Sequence, residues 1–269
     1  MTARALRCKT ALEILGVRVV LETALPDVAL AVASRLPPMP VPSGGRGHAR
    51  RYAVGIADGP DGGFRVHRGA RAPVSVVSVE AAADLVVDDL QRTVAQCADG
   101  LVLVHAGAVA WQGRALVLPG RSRTGKSELV RALVGAGAEY LSDEFAVFDG
   151  DGLVHPYARP IALRQGDGTR RWVPAEMLGA RTAAGPVPPA LIAFLRFSPA
   201  ARWRPRRLSA GQTVLGLLRH SVAARRRLPL VRSVLVPVAS SVEAFSGVRG
   251  EASEVAGRLL RELASAPSR

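Results

Sequence analysis

The chain has 269 residues, 48% hydrophobic and 22% charged, which supplies apolar material for one large core or two modest ones. Its formal charge of +14 comes almost wholly from arginine, and this suits an acidic partner (nucleic acid, an anionic membrane or an acidic peptide) or a solvated, arginine-biased surface. Nucleic acid is disfavoured: aromatic residues are only 4%, too few for stacking platforms, and basic residues are spread along the chain apart from clusters at 202–207 and 225–227.

Cys8 and Cys97 lie far apart, with no C-x-x-C and no paired-histidine spacing, which argues against a disulfide framework or a zinc site and for a reducing compartment. The amino terminus lacks the apolar stretch of a signal peptide, and the longest apolar run, 101–111, is too short to span a bilayer. A cytoplasmic protein with no membrane partner is expected.

Residues 11–23 are β-branched and partly alternating, and read as one strand. Asp27 is placed to cap a short helix running through Arg35, which Pro37 and Pro38 stop. Strands at 52–57 and 64–67 flank a glycine-rich turn at 58–63, and 74–79 reads as a further strand. A helix is expected over 80–98, its apolar side formed by Ala83, Leu85, Val86, Leu90, Val94 and Cys97. Nothing before residue 100 gathers catalytic residue types. Residues 1–98 therefore read as a small α+β module, and 99–269 as a catalytic domain.

Residues 101–104 read as a strand ending in His105-Ala106-Gly107, and 109–111 as the start of the next. Gln112-Gly113 turns tightly into an apolar run, 115–118, with the character of a buried parallel strand. The following residues, Gly120-Arg121-Ser122-Arg123-Thr124-Gly125-Lys126-Ser127, fit the G-x-x-x-x-G-K-[ST] phosphate loop without a mismatch. Two glycines let the backbone bend so that successive N–H groups face phosphate oxygens, and the helix that follows adds its positive end. Lys126 has the reach for the β- and γ-phosphates, and the Ser127 hydroxyl can ligate Mg²⁺. A nucleoside triphosphate, with ATP foremost, is the expected ligand. Leu129, Leu133 and Val134 mark the apolar face of the next helix.

Apolar runs at 139–141 and 145–148 flank Ser142-Asp143-Glu144. Beyond a turn at 149–152, short strands are expected at 153–157 and 161–164, and the Gly-, Pro- and Arg-rich stretch 165–189 reads as a loop or mobile lid. Residues 191–197 read as a strand, Ser209 as the cap of a helix running to about Arg227, 231–238 and 242–246 as late strands, and 251–264 as a closing amphipathic helix.

The acidic pair decides which kind of phosphate-loop protein this is. Asp143 follows Lys126 by only seventeen positions, room for one helix and one short strand, so the acids return beside the phosphates almost at once. An acid there can hold Mg²⁺ or take a proton from an attacking hydroxyl, and two adjacent acids can divide those tasks. Leu208-Ser209-Ala210-Gly211-Gln212 imitates an ABC-ATPase signature, but no acid follows it until Glu243, which excludes the required Asp-Glu strand.

The stretch from His105-Ala106-Gly107 through the glycine loop to Leu141-Ser142-Asp143-Glu144 resembles the HPr kinase/phosphorylase catalytic domain over about residues 101–164. Within that family it is similar to the HPr-kinase-related proteins encoded beside peptide-modification genes, including the kinases of lasso-peptide precursors. The resemblance implies an α/β fold related to ATP-dependent phosphoenolpyruvate carboxykinase, with ATP and Mg²⁺ as cofactors, and leaves a homo-oligomer open. It implies that His105 lies close to the transferred phosphate, that Asp143 is the general base for a serine hydroxyl, and that Glu144, where the family has Asp, is a magnesium ligand with Ser127 and Asp143. Arg159 and Arg164 follow the acidic motif and suit the charge of a transferring phosphoryl group, Arg164 being the one retained as a catalytic candidate. The glycine-containing signature that the family needs for dephosphorylation is absent after the acidic pair, so neither phosphorylase activity nor HPr as substrate is expected. The expected activity is a kinase acting on a hydroxyl, a Ser of a small protein or precursor peptide. A nucleotide-gated recruitment protein without chemistry and a small-metabolite kinase are the alternatives.

Overall fold

In the computed structural model, residues 8–37, 50–57, 62–121, 124–164, 166 and 170–267 are described, and the chain divides into two compact units, 1–99 and 100–269. The first unit contains β1 (Cys8–Ile14), β2 (Val17–Thr23), α1 (Pro26–Ala33), β3 (Arg50–Ile56), β4 (Phe64–Arg68), β5 (Val74–Val76) and α2 (Val79–Cys97). Its five strands form one sheet in the order β1-β2-β3-β4-β5, with only β2 and β3 parallel.

Residues 11–23 are not one strand. Leu15 and Gly16 take φ of 49° and 77°, the positive values of a two-residue turn, and fold the run into the β1–β2 hairpin. Asp27 is not the helix cap either. Leu25 occupies that position with no side-chain cap, the Thr23 hydroxyl accepts from the Leu25 N–H at 3.1 Å, and Asp27 lies in the first turn, where its charge favours the dipole. The strand expected at 74–79 stops at Val76 because Ser78 caps α2, accepting from the Ala81 N–H. Cys97 is exposed, while Ala83, Val86, Leu90 and Val94 are buried. On α2, Asp89 is 2% exposed and accepts from the Tyr52 hydroxyl at 3.0 Å and from Arg71 at 2.7 Å, pinning the helix to its sheet. Residues 58–61 of the expected turn lie outside the described residues.

The second unit comprises β6 (Val102–Trp111), β7 (Arg114–Pro119), α3 (Lys126–Gly135), β8 (Glu139–Ser142), β9 (Phe145–Phe148), β10 (Val154–His155), β11 (Ile161–Arg164), β12 (Arg170–Val173), β13 (Pro189–Phe197), β14 (Arg206–Arg207), α4 (Ala210–His220), α5 (Leu228–Ser241), β15 (Glu243–Arg249) and α6 (Ala252–Ser265). Its main sheet has the order β10-β9-β6-β7-β13-β15-β14, with β8 also paired to β6, and β11–β12 form a separate ribbon. β7, β13 and β15 are parallel, and β6 runs antiparallel to β7. Buried side chains alternate between the two faces: Leu116, Leu118, Leu191 and Ala193 pack with α3 and α6, whereas Ala115, Val117 and Ile192 pack with α4 and α5. Strands covered on both sides explain the continuous apolar runs.

Residues 101–104 and 109–111 belong to one ten-residue strand, β6, whose first half pairs β9 and whose second half pairs β8. Residues 231–238, expected as a strand, are helical. Val231, Val234, Leu235 and Val238 fall at helical spacing and all face the core from α5, which overrides their β-branched preference. The helix capped by Ser209 does not continue to Arg227 but ends at His220, where Ser221 bridges to Val104. Nor is 165–189 a free loop. It contributes β12, a 3-10 turn at Ala175–Leu178, and backbone bonds from Tyr140 to the Arg181 carbonyl at 2.7 Å and from Val154 to the Val187 carbonyl at 2.9 Å. Residues 165 and 167–169 lie outside the described residues. Among the described residues no helix is long and apolar enough to cross a membrane.

Candidate functional site

The site is built where β6 ends its pairing with β9 and β7 runs into the glycine loop. The Gly120 N–H donates to the His105 carbonyl at 3.3 Å, which fixes the start of the loop against β6. A side chain at Gly120 would meet the Thr124 hydroxyl at 2.9 Å and the Lys126 stem at 3.4 Å, so glycine keeps this cradle open. The Arg121 carbonyl accepts from the Thr124 hydroxyl at 2.8 Å and from Lys126 Nζ at 2.9 Å, curling the loop over its own lysine. Gly125 closes it at φ 83°, and α3 begins at Lys126. Ser122 and Arg123 lie outside the described residues.

The loop is clamped by a residue that sequence reasoning missed. Arg249, 1% exposed at the end of β15, donates to the Gly125 carbonyl at 2.7 Å and to the Gly250 carbonyl at 2.8 Å, and lies over the Phe197 ring at 5.3 Å. A Cβ on Gly125 would come within 2.5 Å of this guanidinium. Its sequence signal is slight, an arginine set between Gly247 and Gly250 at the end of a strand.

The acidic pair arrives from the other side. Between β8 and β9 the chain bends at Asp143-Glu144, and the Ser142 hydroxyl holds the bend by accepting from the Glu144 and Phe145 N–H groups at 3.2 and 3.1 Å. The Ala106 N–H donates to the Glu144 carbonyl at 3.1 Å, which ties the bend to β6. Asp143 is 7% exposed. Its Oδ2 accepts from the Ser127 hydroxyl at 3.0 Å, and its Oδ1 from Tyr140 at 3.1 Å. Tyr140, also missed from the sequence, is buried on β8 and lies 3.1 Å from the Arg159 carbonyl as well.

His105 and Glu144 complete the group. Lys126 Nζ lies 3.1 Å from His105 Nε2, and Glu144 Oε1 lies 3.5 Å from His105 Nδ1. Burial, then the Lys126 charge, push His105 down to about 4, so the imidazole is neutral at pH 7. An ammonium only donates, which makes Nε2 the acceptor and leaves the ring proton on Nδ1, facing Glu144. Lys126 is itself pushed down to about 8 by burial, against the opposing pull of Glu144 and Asp143. Burial and the neighbouring Glu144 raise Asp143, while Arg159 and the bonds from Ser127 and Tyr140 oppose the rise. Arg159 is 4% exposed and packs over Trp172 at 4.7 Å, and its Nε and Nη2 have no hydrogen-bond partner among the described residues. The side chain of Arg164, at the end of β11, lies outside the described residues.

The donor set suits a magnesium ion better than a protein-enclosed metal. No group of three or more His, Cys, Asp and Glu side chains gathers among the described residues. One hydroxyl and two adjacent carboxylates beside a glycine cradle match an ion that completes its shell with water and phosphate oxygens.

No protein-family model matches the chain, and no curated protein matches it. Among solved structures the chain is similar to the HPr(Ser) kinase/phosphatase from Coxiella burnetii, at 17% sequence identity and a TM-score of 0.36, with 60% of this chain and 94% of that chain covered.

Proposed function

We propose that the second unit is an ATP- and Mg²⁺-dependent phosphotransferase that moves the γ-phosphate to a hydroxyl, and that the acceptor is a Ser of a small protein or precursor peptide. The observation that carries this reading is the 3.0 Å hydrogen bond between Ser127 and Asp143, which joins the glycine loop to the acidic bend. In this reading Lys126 and the loop amides bind the β- and γ-phosphates. Ser127 and Glu144 would hold Mg²⁺, which supplies charge neutralisation at the phosphate oxygens. Asp143 takes the acceptor proton as the hydroxyl oxygen bonds to phosphorus and the bond to ADP breaks, and its burial beside Glu144 makes it a stronger base than an exposed aspartate. Neutral His105 keeps Lys126 oriented. Arg159 adds fixed positive charge beside Asp143. Such a kinase draws on the ATP of the cytoplasm, and a kinase of the peptide-modification type is the subfamily we favour.

Asp143→Asn keeps the shape of the side chain but cannot take the proton, and its single oxygen can accept from only one of Ser127 and Tyr140. Transfer from γ-labelled ATP should fall by roughly a hundredfold or more, with ATP affinity largely retained. Undiminished transfer would remove Asp143 from the base role, and a protein that binds ATP and peptide without any transfer would point to recruitment alone.

A further inference from the structure

A second cavity adjoins the loop on the side away from α3. It has a volume of about 540 Å³ and is lined by Arg121, Arg219, His220, Ser221 and Arg225 among others, with no acidic residue among the described residues of its wall. Two segments converge there: the glycine loop, through Arg121, and the continuous stretch from the end of α4 into the connection toward α5. Ser221 forms an antiparallel bridge with Val104, next to His105, and the Val222 N–H donates to the Leu103 carbonyl at 3.3 Å. The cavity thus abuts the strand that carries His105. The Ser221 hydroxyl is buried without a hydrogen-bond partner among the described residues.

Compensation of the negative end of α4 accounts for Arg219 and His220. It does not account for Arg121, which comes from the glycine loop, or for Arg225, which lies five residues beyond the end of the helix. His220 is lowered first by its burial and then by His105, Lys126, Arg121 and Arg219, so this pocket lies within a field of positive charge. The glycine loop already has positive charge of its own, from Lys126, which bonds the Arg121 carbonyl at 2.9 Å, and from the start of α3.

We propose that this cavity is the acceptor subsite and that it selects an acidic peptide segment, whose carboxylates flanking the target hydroxyl pair with Arg121, Arg219 and Arg225. The proposal rests on the phosphotransferase reading and names its substrate class. Its volume admits a short stretch of peptide. Arginine forks bind carboxylates in pairs of hydrogen bonds, and in a recess they do so with less screening than on an open surface. A small hydroxy acid shares this chemistry and is the competing source of the anion.

The test uses the full chain and a fluorescent nonapeptide with a central serine flanked by four glutamates on each side. A lysine-flanked counterpart and free malate are the comparison probes, and peptide binding is measured with and without the non-hydrolysable analogue AMP-PNP. The acidic peptide should bind, the lysine peptide should not, and Arg219→Ala with Arg225→Ala should weaken the acidic peptide by at least roughly tenfold while AMP-PNP affinity and thermal stability hold. Arg219→Glu with Arg225→Glu should reverse the preference toward the lysine peptide. Equal binding of both peptides, an unaffected double variant, or an equal loss of AMP-PNP affinity would overturn the proposal. Malate competing at lower concentration than the peptide would support the anionic subsite but assign it to a metabolite. Arginine-dependent peptide binding in a chain that fails to bind AMP-PNP would sink the phosphotransferase reading and leave the subsite standing.

Discussion

Lys126 is held in a state that its surroundings oppose. Folding moves it from the ordinary lysine range down to about 8, so between pH 8 and 10.5 the unfolded chain carries a proton that the folded chain lacks. Stability from this group therefore rises with pH across that window, and below it the buried charge is a cost that an anion relieves. Lys126→Met should raise the Tm of the ligand-free protein at pH 7 by a few degrees, on the order of 1–3 kcal/mol, and the advantage should shrink as pH climbs toward 10. Nucleotide affinity of the parent should weaken as pH rises through about 8, with proton uptake on binding above that value; calorimetry in buffers of different ionisation enthalpy measures both. His105 titrates near 4 and introduces no break near neutrality. The residues that meet around Lys126 were legible in the sequence because a single loop motif and a short return path bring Lys126, Ser127, Asp143 and Glu144 together locally. Tyr140 and Arg249 were not. A tyrosine in a short strand and an arginine 124 positions beyond its glycine partner acquire meaning only through tertiary contact.

The element that positions the site is α3, and its seat on β6 is close. A Cβ on Gly107 would lie 2.6 Å from Val130 Cγ2, so the glycine permits the close approach of α3 to β6 that brings Lys126 to His105. Gly107→Ala should cost about 1–3 kcal/mol by overpacking and displace Lys126 from His105. Adding Val130→Ala should restore much of the loss, as chemical denaturation of the single and double variants will measure. Failure of the second substitution to compensate would mean that the strain lies elsewhere. Element type was readable wherever period and length agreed, as in α2, α3 and α6. It failed at α5, because a valine-rich run of fourteen residues satisfies strand composition while its buried positions follow the helical repeat. It also failed at β1–β2, where Gly16 is the one usual turn former and Leu15 takes the other turn position.

At the scale of the molecule, each unit has its own sheet, and among the described residues no strand is shared between them. The two large apolar clusters that flank the main sheet draw only on residues beyond Gly100. Residues 100–269 expressed alone should unfold cooperatively and bind ATP with the affinity of the full chain, which thermal denaturation and calorimetry will test. Aggregation of that fragment, or loss of binding, would show that the first unit is needed for the site.

The clamp from Arg249 to Gly125 also orders events during synthesis. The glycine loop leaves the ribosome 124 residues before the guanidinium that closes it, so a nascent chain carries the loop without its clamp until β15 emerges.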